Sequence, residues 1–176
     1  MTRGVRASTF ALACALALGG CATVEAPPPA AESLAGRLSV QVAADAAQPA
    51  RSLAANFEWR GDARRGALAL ATPLGSILAQ AGWADGRAWL VTSQGRRDFG
   101  DVDALSRELL GEAVPVAAMF DWLRGRPWPS APSAGREAGF DQLGWQVDLS
   151  RYADLQVVAR RPSPPAVTVR AVLDRP

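Results

Sequence analysis

Side chains that usually perform acid–base and covalent chemistry are scarce in this chain of 176 residues, which has no histidine and carries arginine at all nineteen of its basic positions. Without imidazole or a lysine amine, the usual general base, imidazole metal ligands and Schiff-base chemistry are excluded. No Gly-x-Ser-x-Gly sequence marks a nucleophilic serine either. We therefore expect no catalytic residue, no metal site and no cofactor.

Carboxylates are the remaining candidates for acid–base chemistry. Five of them are scattered over the chain, at Glu58, Asp62, Asp98, Asp101 and Asp121. Two carboxylates that meet in space would form a pair of the kind that glycosidases use. Scattered carboxylates more often do no more than keep a surface solvated, so an enzyme is the alternative and not the expectation.

The N-terminus has the layout of a bacterial signal peptide. A short basic start precedes an apolar run over residues 10–18, and Leu18-Gly19-Gly20-Cys21 follows. The run is far shorter than the roughly 20 residues of a membrane-spanning helix, so residues 1–20 are predicted to be a signal peptide. Leu18 to Cys21 resembles the lipobox of bacterial lipoproteins, in which the cysteine is lipidated; the alternative is an ordinary secretory signal with a chance cysteine. Ala22, rather than an aspartate, favours the outer membrane.

Removal of the signal peptide would change what the rest of the chain can bind. Cys21 would be the remaining cysteine, so we expect no disulfide and no cysteine-rich metal site. The formal net charge would fall from +2 to zero, since Arg3 and Arg6 are lost, and nucleic-acid binding is therefore not expected. Residues 21–33, rich in proline and alanine, are predicted to tether the lipidated cysteine to a single domain over residues 34–176.

The elements of this domain follow from its hydrophobic periods. A period of two, broken by turn residues, predicts about six consecutive antiparallel strands between residues 34 and 99 and about four more after residue 140, with a loop over residues 128–135. Between them the period becomes helical. One helix is expected to begin at Asp101 or Asp103, to place Val102, Leu105 and Leu109 on one face and to end at Gly111; a second is expected to start at Pro115. Both need an apolar surface to cover.

The turn at Thr72-Pro73-Leu74-Gly75 joins two of the predicted strands. Pro73 sets φ at the first central position and Gly75 closes the turn. Leu74 is left at the tip, where exposure forgoes roughly 1.5–3 kcal/mol of burial. Either the tip folds back and Leu74 belongs to the core, or the leucine is displayed for a purpose.

Six tryptophans are many for a domain of this size. Each of them singly favours core packing. A curved sheet covered by two amphipathic helices can also enclose a cavity that holds acyl chains. The sequence leaves both interpretations open.

An ordered set of short motifs resembles the LolB family of outer-membrane lipoprotein receptors. The set spans most of the domain behind the lipobox. Its members are Gly36-Arg37-Leu38-Ser39-Val40, Phe57-Glu58-Trp59, Leu70-Ala71-Thr72-Pro73-Leu74-Gly75, Val114-Pro115-Val116, Trp122-Leu123-Arg124-Gly125 with Pro127, and Gln142-Leu143-Gly144-Trp145 with Tyr152.

The resemblance implies a mainly β fold with α-helices: an incomplete antiparallel β-barrel of about ten or eleven strands with a helical lid over a hydrophobic cavity. It implies a monomer, anchored to the outer membrane and facing the periplasm. Such a protein receives acylated lipoproteins from the periplasmic carrier LolA and inserts them, without ATP, into outer-membrane phospholipid. Pro73, Leu74 and Gly75 correspond to the family's membrane-insertion loop. The cavity is expected to be lined by Leu38, Val40, Phe57, Trp59, Leu68, Leu70, Ile77, Leu90, Met119, Phe120, Leu123 and Trp145.

A rival interpretation from another class is a lipid-binding or scaffold lipoprotein that holds a lipid or a partner without transferring it. It shares the anchor and the cavity with the LolB interpretation. It gives no reason, however, for an exposed leucine at the tip.

Overall fold

The fold is a single antiparallel sheet of eleven strands, covered by two helices, in a computed structural model that describes residues 33–46 and 48–175. The sheet is open, with the order β6-β5-β4-β3-β2-β1-β11-β10-β9-β8-β7, and agrees with the incomplete barrel expected from the sequence. The strands are β1 Ser33–Val42, β2 Arg51–Gly61, β3 Gly66–Ala71, β4 Ile77–Ala84, β5 Arg87–Thr92, β6 Gly95–Phe99, β7 Ser133–Arg136, β8 Gly139–Gln142, β9 Trp145–Asp148, β10 Gln156–Arg161 and β11 Val167–Leu173.

The concave face of the sheet carries the apolar positions of the alternating strands. In β2, for example, Ala55, Phe57 and Trp59 are buried, whereas Glu58 and Arg60 between them are exposed. This alternation confirms the period of two that predicted the strands. One strand was missed: β7 begins inside the stretch 128–135 predicted as a loop and ends one residue beyond it. Its four residues are all exposed and carry no apolar period.

The helices connect the two edge strands along the chain. The chain leaves edge strand β6, forms α1 (Val102–Leu110) and α2 (Val116–Trp122), and then enters edge strand β7. Asp101 caps α1, its Oδ1 accepting the Ala104 N–H at 2.7 Å, and Gly111 ends the helix with φ +79°. The predicted apolar face of α1 was wrong in one position: Leu110, not Leu109, packs against the core.

Antiparallel pairing sorts the strand connections between two ends of the sheet. We call one end the tip end; it holds the connections 43–50, 72–76, 93–94, 143–144 and 162–166. The other, the distal end, holds the connections 62–65, 85–86, 137–138 and 149–155. Ser33, the first residue of β1, pairs with Arg60 and therefore lies at the distal end.

A buried glutamine of β8 links the loop between α2 and β7 to the sheet by hydrogen bonds. Gln142 is 3% exposed, and its Nε2 donates to the carbonyl oxygens of Trp128 and Ala131, both at 2.8 Å. Its Oε1 accepts the indole N–H of Trp122 at 2.7 Å and the backbone N–H of Trp128 at 2.9 Å. One side chain therefore satisfies four polar groups and holds the helices in place over the sheet.

Candidate functional site

The turn between β3 and β4 exposes a leucine to solvent at its tip. Leu74 is 95% exposed, which excludes the interpretation that the tip folds back and buries it in the core. The Gly75 N–H donates to the Thr72 carbonyl oxygen at 2.9 Å, and Gly75 has φ +87°. Both observations confirm the predicted four-residue turn with Pro73 and Leu74 at its centre.

The same turn satisfies most of its own hydrogen-bond donors. Ser76 donates its N–H to Thr72 Oγ1 at 3.1 Å, and the Thr72 N–H donates to the Ser76 carbonyl oxygen at 2.8 Å. With the Gly75 bond, three N–H groups of the turn find partners inside it, and Pro73 has none to satisfy. Unsatisfied backbone groups cost several kcal/mol each in hydrocarbon. The internal hydrogen bonds of this turn therefore lower the free-energy cost of moving it from water into a membrane.

Two further apolar side chains continue the exposed surface behind Leu74. Ile77 is 58% exposed and Leu78 is 41% exposed. Both residues lie beside a register shift between β3 and β4, where the regular alternation of strand side chains is interrupted, and both extend the exposed apolar surface of the hairpin near its tip. The placement of Ile77 in the interior was wrong: a register shift beside Ala71 starts the buried run of β4 at Ala79 instead.

The other residues expected at the acyl-chain cavity belong to one hydrophobic core cluster or pack against it. Leu38 and Leu68 are half-buried against the core, and the rest are buried: Val40, Phe57, Trp59, Leu70, Leu90, Met119, Phe120, Leu123 and Trp145. They pack on one another, with the ring centroids of Trp59 and Phe120 5.5 Å apart. The indole N–H of Trp59 has no acceptor among the described residues.

Two ion pairs connect the helices to the sheet. Glu108 of α1 binds Arg97 of β6, and this hydrogen bond holds the pKa of Glu108 below its ordinary value. Glu112, in the connection between the helices, accepts from Arg161 of β10 at 2.6 Å, and both side chains are largely buried. The two ion pairs are separate contacts, so each can break without the other and without disrupting the apolar core.

The scattered carboxylates have structural partners. Glu58, Asp98 and Asp121 each bind an arginine nearby in sequence. Asp62 and Asp101 both line a recess of 620 Å³ at the distal end, but each accepts backbone N–H groups of its own turn or helix. No group of three or more acidic or cysteine side chains suited to a metal occurs among the described residues. These contacts stabilise the local structure around each of the five carboxylates.

The turn at Asp62 gives a testable pH dependence. Its Oδ1 accepts the N–H groups of Arg65 and Arg64 at 2.9 and 2.7 Å, and these bonds lower the pKa of Asp62. A depressed pKa in the folded state adds stability above the unfolded value of 3.8, and this stability is lost as the pH falls through the folded value. We expect Asp62→Asn to reduce the difference in urea midpoint between pH 6 and pH 3. An unchanged difference would contradict this role.

The expected lipid-attachment residue, Cys21, lies outside the described residues, as does the predicted signal peptide. Among the helices that the structure describes, none has the length and hydrophobicity needed to cross a bilayer.

Comparison with known proteins yields one family. Residues 32–172 match the family model described as "Outer membrane lipoprotein LolB". A protein of Bordetella petrii named outer-membrane lipoprotein LolB is 38% identical, over 93% of this chain and 89% of its own length. Proteins with the same name from Bordetella parapertussis and Chromobacterium violaceum are 35% and 32% identical, over 99% and 82% of this chain and 94% and 82% of their own lengths.

Proposed function

The chain belongs to the LolB family of outer-membrane lipoproteins, and on that premise we propose that it receives acylated lipoproteins from the periplasmic carrier LolA and inserts them into the outer membrane. Cys21 would carry the lipid that anchors it there, with the domain facing the periplasm as a monomer. The observation that carries the proposal is the exposure of Leu74 on a turn that satisfies most of its own backbone N–H donors. Neither an enzyme nor a passive scaffold needs such a feature.

The energetics of an acyl chain explain why the transfer needs a protein and no ATP. Each CH₂ group kept from water is worth about 0.8 kcal/mol, so free release of a long acyl chain into water is prohibitive. A handover from one apolar cavity to another and then into a bilayer keeps the chain dry throughout. Such a sequence of steps requires only a modest increase in affinity at each one.

The space between helices and sheet is the proposed acyl-chain site. Phe57, Trp59, Met119 and Phe120 contribute apolar surface there. Glu112 with Arg161, and Glu108 with Arg97, hold the helices closed over it. An incoming chain would replace side-chain contacts of the helices by its own, so the apolar surface stays covered while the ion pairs open.

Buried tryptophans make both steps of the transfer measurable. LolA loaded with a lipoprotein that carries brominated acyl chains is mixed with the chain lacking Cys21, and liposomes are added afterwards. Bromine quenches only nearby indoles, so we expect tryptophan fluorescence to fall on receipt and to recover on delivery. Trp59→Phe should reduce the fall, whereas Trp89→Phe, which changes a half-exposed tryptophan on the outer face of the sheet, should not.

Other outcomes of this experiment identify other functions. Quenching that never recovers when liposomes are added indicates a lipid-binding lipoprotein without transfer activity. No quenching, together with cargo that stays on LolA, contradicts the proposed receipt of lipoproteins.

A further inference from the structure

Charge is distributed very unevenly between the two ends of the sheet. Asp45 is the one charged residue in the sequence of the five connections at the tip end. The four connections of the distal end are shorter in total and contain seven: Asp62, Arg64, Arg65, Asp85, Glu137, Arg151 and Asp154. The asymmetry runs along the strands, so it separates two opposite ends of one rigid sheet.

Exposed large hydrophobic side chains follow the same asymmetry. Beyond Leu74, Ile77 and Leu78, the tip end holds Leu143, which is 47% exposed in the turn between β8 and β9. Val91 lies on β5 diagonally from Leu78, since its cross-strand partner is Gln80. Leu109 is the sixth exposed large hydrophobic side chain among the described residues.

Leu109 also lies near this end. It is two residues before Gly111, which lies against the side chains of Gln48 and Arg51 in and beside the first tip-end connection. The exposed hydrophobics therefore come from α1 and from several strands that are far apart in the sheet order. Packing within a single hairpin does not explain such a distribution.

We propose that the whole tip end, and not the Leu74 turn alone, faces the lipid bilayer, an inference that rests on the proposed insertion at Leu74. Leu74 would enter the hydrocarbon, and Ile77, Leu78 and Leu143 would lie in the interfacial layer. The distal end, with its many charges, would face the periplasm. The domain would thus stand on the membrane with its strands pointing towards it.

A bilayer fits this surface better than a protein partner does. Charged side chains are expensive in a membrane, and the tip-end connections, which carry Asp45 alone, keep that cost low. Protein interfaces are enriched in arginine, tyrosine and tryptophan, and these five connections contain none of the three. Arg51, next to the first connection, is placed to meet the phosphates of anionic lipids.

Single-cysteine probes test the orientation. The described residues contain no cysteine, so Leu74→Cys, Leu143→Cys and Ala153→Cys each add one site for an environment-sensitive dye. The lipid-anchored protein is reconstituted into vesicles of phosphatidylethanolamine and phosphatidylglycerol that contain a spin-labelled quencher lipid. We expect strong quenching at residue 74 and at least half as much at residue 143. Ala153, exposed at the distal end, should show almost none.

The outcomes separate this inference from the function on which it rests. Quenching at residue 74 with none at residue 143 overturns the membrane-facing tip end and leaves the insertion loop intact. No quenching at residue 74 contradicts the insertion loop itself. A dye at residue 143 that responds to LolA in the absence of lipid, and not to vesicles, assigns the surface to a protein partner and also overturns the proposal.

Discussion

Replacing Leu74 by glutamate is expected to slow delivery of lipoproteins to liposomes strongly while leaving their receipt from LolA unchanged. Leu74 is 95% exposed, so the substitution removes no packing from the folded domain. In the membrane it forgoes roughly 1.5–3 kcal/mol of apolar burial and adds the cost of a carboxylate in hydrocarbon. Together these predict delivery slower by roughly a hundredfold. In the brominated-chain assay, fluorescence should fall as in the wild type and recover far more slowly.

Two variants control for this result. Leu74→Met keeps an apolar side chain at the tip and should deliver cargo at close to the wild-type rate. Ala153→Glu adds a carboxylate at the exposed distal end and should have no effect on either step. If Leu74→Glu delivers cargo as fast as wild type, the tip has no role in insertion. If it fails to receive cargo, the tip belongs to the docking of LolA instead.

Leucine is similar to glutamine in size, yet replacing Gln142 by leucine is expected to cause a large loss of stability. The change leaves the indole N–H of Trp122, the backbone N–H of Trp128 and the Ala131 carbonyl without their partner, and the Trp128 carbonyl keeps only the Ala131 N–H at 3.4 Å. Each buried polar group left unsatisfied costs about 1–3 kcal/mol. We expect the free energy of unfolding to fall by about 3–5 kcal/mol, a large part of an ordinary domain's stability.

Urea unfolding measures this loss, and a neighbouring residue provides the control. Gln146 is exposed on β9, so Gln146→Leu should change the free energy of unfolding by less than about 0.5 kcal/mol. A loss below about 1 kcal/mol for Gln142→Leu would mean that the loop after α2 is held by its apolar contacts and not by the glutamine.

The strands and the exposed tip were predictable from the sequence because their signals are local. Val40 and Val42, or Phe57 and Trp59, show their period of two directly, and Thr72 to Gly75 has the composition of a turn. Strand β7 was not predictable, since an exposed edge strand of four residues has no period to read. It forms by pairing with β8 through backbone hydrogen bonds, which leave no pattern in the sequence.

The errors at the candidate site came from contacts between distant parts of the chain. Ile77 continues the alternation of Ala79 and Ala81, and only the register shift against β3 takes it out of the core. Gln142 was recognised as part of a motif. Its hydrogen bonds to Trp122 and Trp128 could not be predicted, because both residues are more than ten positions away in the sequence. The unequal charge of the two ends became visible only when the strand pairing assigned each connection to an end.

The position of Ser33 determines how much linker an anchored domain needs. The first strand starts at the distal end, so the chain must pass the whole height of the domain to connect it to a bilayer beneath the tip. A strand of ten residues covers about 33 Å at 3.3 Å per residue. The chain from Cys21 to Ser33 comprises twelve residue steps, which would reach about 37 Å at polyproline spacing. If Cys21 is the anchor and the tip end faces the bilayer, as we propose, this reach matches the height of the domain, and we expect a substantially shorter linker to lift Leu74 out of reach of the lipid.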